Sequence, residues 1–310
     1  NMLECWSILI IPMAMAWAFG FYVRRRKLAA WIFGVMLFAF TAGIFVSVPQ
    51  EMGGNPNIDE MGIAQDLGSM EGKEIRIGSA ASAMWGMTTT VTSNGSVNSM
   101  HDSQTPLSGM LQMLNMQINC WFGGVGVGFM NYYAFLIIAV FISGLMVGRT
   151  PEFLGKKIEA REMKIATLVV LLHPFIILVG TALAAGLIAH NPSLGWLNNP
   201  SYHGLSEMLY EYTSSAANNG SGFEGLGDNT PFWNISCGIV LILGRYFPIV
   251  GQVAIAGLLA NKKFIPESAG TLKTDTMTFA VMTFAVIVIV AALSFFPALT
   301  LGPIADYLGF

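Results

Sequence analysis

Charge is scarce in this chain. Only 11% of its 310 residues are Asp, Glu, Lys or Arg, where soluble domains carry about a quarter. Fifteen basic residues stand against 18 acidic ones. There is no basic excess to neutralise phosphates, which excludes a nucleic-acid binder. Cysteine is equally rare. Cys5, Cys120 and Cys237 are odd in number and match no metal-site spacing; they read as small apolar residues at helix ends, with a Cys120–Cys237 disulfide left open. His101, His173, His190 and His203 form no HExxH or other ligand spacing. The chain has no Walker A sequence, and no catalytic residues stand out in it.

What the chain has instead is apolar surface, 54% of residues with a mean hydropathy of +0.60, and it is gathered into blocks. The stretches 3–23, 28–48, 122–147, 165–189, 235–260 and 276–296 hold only two charged residues, Glu4 and Arg245. Each has about 20 residues or more, enough to cross a hydrocarbon core about 30 Å thick. Soluble core helices would show polar residues every second turn. Six spans are expected. Arg24, Arg25, Arg26 and Lys27 follow the first, Arg149, Lys156, Lys157, Arg161 and Lys164 the third, and Lys262, Lys263 and Lys273 the fifth. These connections should be cytoplasmic, with both termini outside. The first span is not a signal peptide, because its positive cluster follows the apolar run.

Two stretches are neither span nor plain loop. The first, 79–98, ends Met-Thr-Thr-Thr-Val-Thr-Ser-Asn-Gly-Ser-Val-Asn. The second, 205–223, contains Thr-Ser-Ser-Ala-Ala-Asn-Asn-Gly-Ser-Gly-Phe. Superposing Asn94 on Asn219 gives an offset of 125 that also brings Thr88 onto Thr213. Each stretch lies between two spans, so the unit span–polar segment–span occurs twice in one orientation. Non-helical backbone at membrane depth is tolerated where it lines a cavity. Glycine-oriented carbonyls and Thr or Ser hydroxyls there can replace the water around a monovalent cation. An ordinary Asn-Gly-Ser turn is the alternative for a single copy. The expected fold is thus an all-α integral membrane protein, six transmembrane helices with two re-entrant pore-helix and filter loops.

Several strings bring a family into view: Thr-Ser-Asn-Gly-Ser-Val-Asn-Ser-Met-His-Asp (92–102), Gly-Gly-Val-Gly-Val-Gly (123–128), Gly-Arg-Thr-Pro-Glu-Phe-Leu-Gly-Lys-Lys-Ile-Glu-Ala-Arg-Glu-Met-Lys (148–164), Ser-Ser-Ala-Ala-Asn-Asn-Gly-Ser (214–221) and Gly-Arg-Tyr (244–246). Over nearly its whole length the chain resembles the C-terminal part of KdpA, the potassium-binding component of the Kdp potassium-transporting ATPase. The resemblance implies a superfamily with four span–pore–span units around one pore. It implies a bacterial or archaeal cell (inner) membrane, and work beside the P-type ATPase component KdpB and the small components KdpC and KdpF. Family members have four filter segments and ten spans, so this chain is expected to be a fragment or split part, needing the N-terminal half of the same protein. On that reading 1–27 closes a preceding unit, 28–164 is the third unit with its cytoplasmic loop, 165–263 the fourth, and 264–310 an extra helix.

The resemblance makes Thr92, Ser93, Asn94 and Gly95 the third filter and Asn218, Asn219 and Gly220 the fourth, with K⁺ as their metal ion and transported substrate. Arg245, ten residues into its span, is too deep to snorkel easily, and a charge there is costly. It is expected to line the ion path, unless it is a structural Arg capped by carbonyls of a neighbouring helix. Asp102 is expected at the external mouth, where an acid concentrates cations, with a solvated loop acid as the alternative; Glu224 follows the fourth filter with a weaker claim. Gly123, Gly124, Gly126 and Gly128 offer either an unwound segment near the pore or close packing through Gly124 and Gly128. The GxGxxG of 220–225 lacks a βαβ unit and the GxGD of 225–228 lacks a second Asp within a span, so neither a dinucleotide site nor an intramembrane protease is expected. A passive or ion-coupled potassium channel-transporter of the same superfamily, and a non-transporting structural protein of the complex, compete with the pump reading.

Overall fold

The computed structural model describes residues 1–123, 126–199, 201–266 and 271–309. Its helices in chain order are α1 (Met2–Tyr22), α2 (Arg26–Gly53), α3 (Pro56–Glu60), α4 (Gly78–Val91), α5 (Pro106–Ile118) and α6 (Val127–Val147). They continue with α7 (Ala160–His190), α8 (Tyr202–Ala217), α9 (Pro231–Ala260), α10 (Met277–Leu299) and α11 (Ala305–Tyr307), the last two joined by a π turn, Thr300–Ile304. A two-stranded antiparallel hairpin, β1 (Glu152–Phe153) with β2 (Lys156–Lys157), lies between α6 and α7.

Among the described residues six helices, α1, α2, α6, α7, α9 and α10 with its extension, are long and apolar enough to cross a membrane. The chain is an all-α, multi-pass membrane protein. Its burial pattern is inverted relative to a soluble fold. Phe38, Phe45, Leu168, Phe175, Phe247 and Leu293 face outward from the long helices, while Ser82, Thr88, Thr89, Thr90, Gln112, Glu207, Thr213 and Ser214 are buried on short ones. The outward apolar surface suits a lipid solvent and the buried hydroxyls have no other place to be satisfied. The long helices start where the sequence supplies caps. Thr230 accepts from the Trp233 amide with Pro231 in the first turn, Thr276 accepts from the Phe279 amide, and Glu159 and Glu162 form a capping box.

Helices α4, α5 and α8 have 14, 13 and 16 residues. At 1.5 Å per residue they reach about 20–24 Å, short of a full crossing. The 122–147 block needs correction. Its helix begins only at Val127, and α5, which no sequence signal marks, precedes it. The intervening chain turns on Asn119 (φ 45°) and Gly126 (φ 99°). A Cβ on Gly128, in the first turn of α6, would overlap the Gly123 backbone, so these two glycines allow the start of the helix to close on the chain ahead of it. Gly124 lies outside the described residues. Cys120 is accordingly fully buried in this turn rather than at a span end, and all three cysteines are free thiols.

Two apolar clusters hold the molecule together. One joins α1, α2, α6 and α10, the other joins α7, α8 and α9 to Met113 and Met116 of α5. The three Lys/Arg-rich connections gather at one end of the bundle. There Arg24–Lys27 neighbour Asp275 and Lys273, the hairpin contacts the Lys262 segment, and Lys262 pairs with Glu159 and Glu162.

Candidate functional site

The 125-residue repeat is a repeat of conformation. At the end of α4, Asn94 N donates to Thr89 O (2.9 Å) and Ser93 N to Thr90 O (3.3 Å); at the end of α8, Asn219 N donates to Ser214 O (3.2 Å) and Asn218 N to Ser215 O (3.1 Å). Both pairs are the 6→1 and 5→2 bonds of a Schellman termination. The residue that makes the turn, Ser93 (φ 52°) or Asn218 (φ 61°), is left-handed in each. For a non-glycine residue that costs about 1 kcal/mol or more. Two residues on, Gly95 (φ 88°) and Gly220 (φ 80°) take a second positive φ, which glycine supplies without a Cβ penalty. The Asn side chain between them accepts from the next amide but one, Asn94 from Ser96 (3.0 Å) and Asn219 from Ser221 (2.9 Å).

The two segments touch. Ser93 Oγ donates to Ala217 O (3.2 Å) and Asn219 Nδ2 to Ser93 Oγ (3.5 Å). A Cβ on Gly95 would overlap the Asn219 carbonyl oxygen, so the backbones approach as closely as glycine allows. Among the described residues no hydrogen bond is directed at the carbonyls of Thr92, Ser93, Asn94, Gly95, Asn219 or Gly220. Hydroxyls brace the loops from beneath. Thr89 Oγ1 accepts from Gly95 N (3.1 Å), and Ser214 Oγ donates to Asn219 Oδ1 (2.9 Å). Outside them a buried chain runs from His101 Nδ1 to Tyr210 OH (2.8 Å), Ser221 Oγ (3.0 Å) and Asn219 Oδ1 (2.9 Å).

Arg245 is half-buried on α9, and its Nη2 donates to Asn218 O at 3.5 Å. The close seat of α9 is set by Gly244, where a Cβ would stand 2.5 Å from Ala216 O. Arg245 is therefore carbonyl-capped, and the carbonyl belongs to the expected fourth filter. A cavity of about 40 Å³ adjoins, between Gln117, Asn119, Asn131, His173 and Gly244, enough for about one water-sized occupant.

Asp102 is buried rather than solvated. Its Oδ1 accepts from His203 Nε2 (2.9 Å) and its Oδ2 from Asn199 Nδ2 (3.2 Å), while Asp306 Oδ2 holds His203 Nδ1 (3.0 Å). Burial works against a charge on His203, but the hydrogen bonds and charges of the two carboxylates outweigh it and raise its pKa to about 10. Glu224 reaches the Asp102 amide from the other side (3.4 Å), and burial raises its pKa. Spacing rules do not mark His203, Asp306, Tyr210 or Ser221, because each meets its partners through contacts between helices and loops that no local motif spells out.

Comparison with known proteins shows the family of the chain. Residues 1–308 match the family model described as potassium-transporting ATPase A subunit. A protein of Phocaeicola vulgatus is 78% identical over 99% of this chain and 55% of its own length, and one of Flavobacterium johnsoniae is 64% identical over 99% and 55%. One of Geobacillus kaustophilus is 50% identical over 99% and 54%. Each of these relatives is named potassium-transporting ATPase potassium-binding subunit. The chain spans about half the length of the curated relatives it matches. It belongs to the potassium-transporting ATPase A subunit family.

Proposed function

We propose that this chain is the C-terminal part of the potassium-binding and translocating subunit of an ATP-driven uptake pump. K⁺ would be its substrate, selected by backbone carbonyls of two re-entrant filter loops. The observation that carries the reading is the pair of Asn-Gly terminations, alike in backbone hydrogen bonding at an offset of 125 (Asn94 and Asn219), in mutual contact, with the carbonyls of Asn94, Gly95, Asn219 and Gly220 receiving no hydrogen bond among the described residues. Such oxygens can replace a cation's hydration shell. In this reading Thr92, Ser93, Asn94 and Gly95 form one filter and Asn218, Asn219 and Gly220 its neighbour. Arg245 then sets the field beside the fourth segment through the Asn218 carbonyl. Asp102 drops out of the pore lining, because both its oxygens are already held.

The unit boundaries 1–27, 28–164, 165–263 and 264–310 receive support from a second correspondence. Cys5 of α1 donates to Thr88 of α4 (3.2 Å), and Gln117 of α5 to Thr213 of α8 (3.5 Å). Thr88 and Thr213 are equivalent at the same offset, so α1 meets the third segment as α5 meets the fourth. A ring of four such units calls for the N-terminal half of the same protein. ATP hydrolysis calls for the P-type ATPase KdpB, with the small proteins KdpC and KdpF as further partners in a bacterial or archaeal inner membrane, both ends of this chain outside.

Gly220→Asp tests the filter assignment. Beyond its chain neighbours no described atom lies within 4 Å of the added Cβ, and the side chain at φ 80° strains the backbone by about 1–2 kcal/mol, a cost that Gly220→Ala shares without placing a carboxylate in the carbonyl field. In the full-length protein within its assembled complex, half-saturating K⁺ for stimulated ATPase should rise about tenfold, or one carbonyl-scale interaction of about 1.4 kcal/mol. Unchanged K⁺ affinity and unchanged discrimination against Na⁺ would overturn the assignment.

A further inference from the structure

One cluster of ligand-type side chains has no part in the proposed path. Asp102, His203 and Glu207 each offer a ligand atom, and these atoms lie within 4.8 Å of one another. His203 and Glu207, four residues apart, share a face at the start of α8. Asp102 arrives from the turn that follows the third segment.

Three observations set the cluster apart from ordinary loop acids. Glu207 is 0% exposed, and while its Oε1 accepts from Asn199 N and Nδ2, its Oε2 receives no hydrogen bond among the described residues. A buried carboxylate oxygen left in that state costs about 1–3 kcal/mol unless something satisfies it. His203 is oriented as a metal-binding imidazole is. Its Nδ1 faces the Asp306 carboxylate at 3.0 Å, and its ring stacks on Phe223 at 5.8 Å and 13°. A carboxylate on the far nitrogen fixes the tautomer that leaves Nε2 for an ion. Finally, the backbone opposite makes room. A Cβ on Gly225 would overlap Glu207 Oε1 and stand 2.5 Å from Asp102 Oδ2. Only glycine leaves that space clear.

We propose that Asp102, His203 and Glu207 bind one divalent transition-metal ion of the Zn²⁺ class, with Asp306 positioning His203 from behind. Mixed imidazole and carboxylate donors suit such ions better than K⁺, which is served by neutral carbonyls. The ion takes the place of the proton that His203 Nε2 now donates to Asp102 Oδ1, and that proton leaves to solvent. Asp102, Glu207 and Asp306 supply three carboxylates against one imidazole, so the exchange moves the cluster toward neutrality. Its effect is to staple the turn after the third segment to the helix that leads into the fourth.

The test uses the full-length protein in its intact, detergent-purified complex, stripped with chelator and titrated with Zn²⁺ alone by calorimetry, with bound metal counted by elemental analysis. One equivalent per complex is expected. His203→Ala and Glu207→Gln should abolish stoichiometric binding, and Asp306→Asn should weaken it about 10- to 100-fold. His190→Ala, at an exposed site whose ring bonds within its own helix, should bind like the parent. If His203→Ala fails to assemble, the near-isosteric Glu207→Gln and Asp306→Asn decide. No stoichiometric Zn²⁺ in the parent, or equal binding by parent, Glu207→Gln and Asp306→Asn, would overturn the proposal.

Discussion

Substituting Gly95 by Ala puts the proposed filter under the sharpest strain. The residue holds φ at 88°, and an added Cβ would overlap the Asn219 carbonyl oxygen and lie 2.7 Å from its carbon. Ordinary carbon–carbon contacts begin near 3.5 Å, so relieving the carbon contact alone takes about 0.8 Å, and the closer oxygen demands a larger shift of one backbone or the other. The moving group is a carbonyl proposed to face K⁺. An interaction between a dipole and a charged group is worth about 1.5–3 kcal/mol, and losing one corresponds to roughly 10- to 100-fold in affinity. Gly220→Ala is the matched control. It suffers the same kind of backbone strain at φ 80° but meets no described atom within 4 Å, so its penalty is about 1–2 kcal/mol of local strain without a displaced neighbour. The assay is K⁺-stimulated ATPase activity and ⁸⁶Rb⁺ uptake by the assembled full-length transporter over a K⁺ series. Half-saturation should move far more in Gly95→Ala than in Gly220→Ala. Equal K⁺ half-saturation in the two variants, with both complexes intact, would refute the idea that contact between the segments sets the carbonyl positions.

Other substitutions test neighbouring parts of the same picture. Arg245→Ala removes the donor at Asn218 O and should lower K⁺ transport or uncouple it from ATP hydrolysis by about tenfold, with Arg245→Lys in between; normal transport would return Arg245 to a structural role. Tyr210→Phe cuts the link between His101 and Ser221, leaving the buried His101 Nδ1 short of its partner while Ser221 keeps Asn219; a stability loss of about 1–3 kcal/mol and a severalfold weaker K⁺ affinity are expected, read from thermal unfolding and the same ATPase assay. Lys73 and Glu51 pair at 2.9 Å with both side chains fully buried, so Lys73→Met strands a carboxylate and should destabilise by about 3–5 kcal/mol. The double variant Lys73→Met/Glu51→Gln should recover most of that loss, and failure to recover would mean the pair is not the unit that matters.

The spans were legible because lipid imposes length and apolarity on contiguous residues, a signal that lives in one window of sequence. The repeat was legible for a related reason. Ser93 with Gly95, and Asn218 with Gly220, need positive φ at fixed spacing, and residue type reports that need locally. Helix α5 was not legible, since it mixes Gln112, Asn115 and Gln117 with Met113 and Met116 and is buried on both kinds of side chain, so neither an apolar run nor a clean amphipathic stripe marks it. The start of α6 was misplaced because the glycine-rich stretch before it is as uncharged as a helix, while Gly126 at φ 99° turns the backbone just ahead of Val127. The cluster around His203 was invisible to spacing rules. Asp102 and Asp306 lie 101 and 103 residues from it in sequence, and only the π turn that lays Gly302 against Ser206 brings the chain's last helical turn within reach.

Those separations bear on how the protein is made. Ser93 finds its acceptor 124 residues later, and His203 finds Asp306 103 residues later. Contacts of such sequence separation form late in folding, after the intervening loops are closed. During synthesis the third segment therefore emerges long before the backbone it leans on exists. A chain stalled before α8 would hold the third segment without the Ala217 carbonyl that Ser93 Oγ reaches.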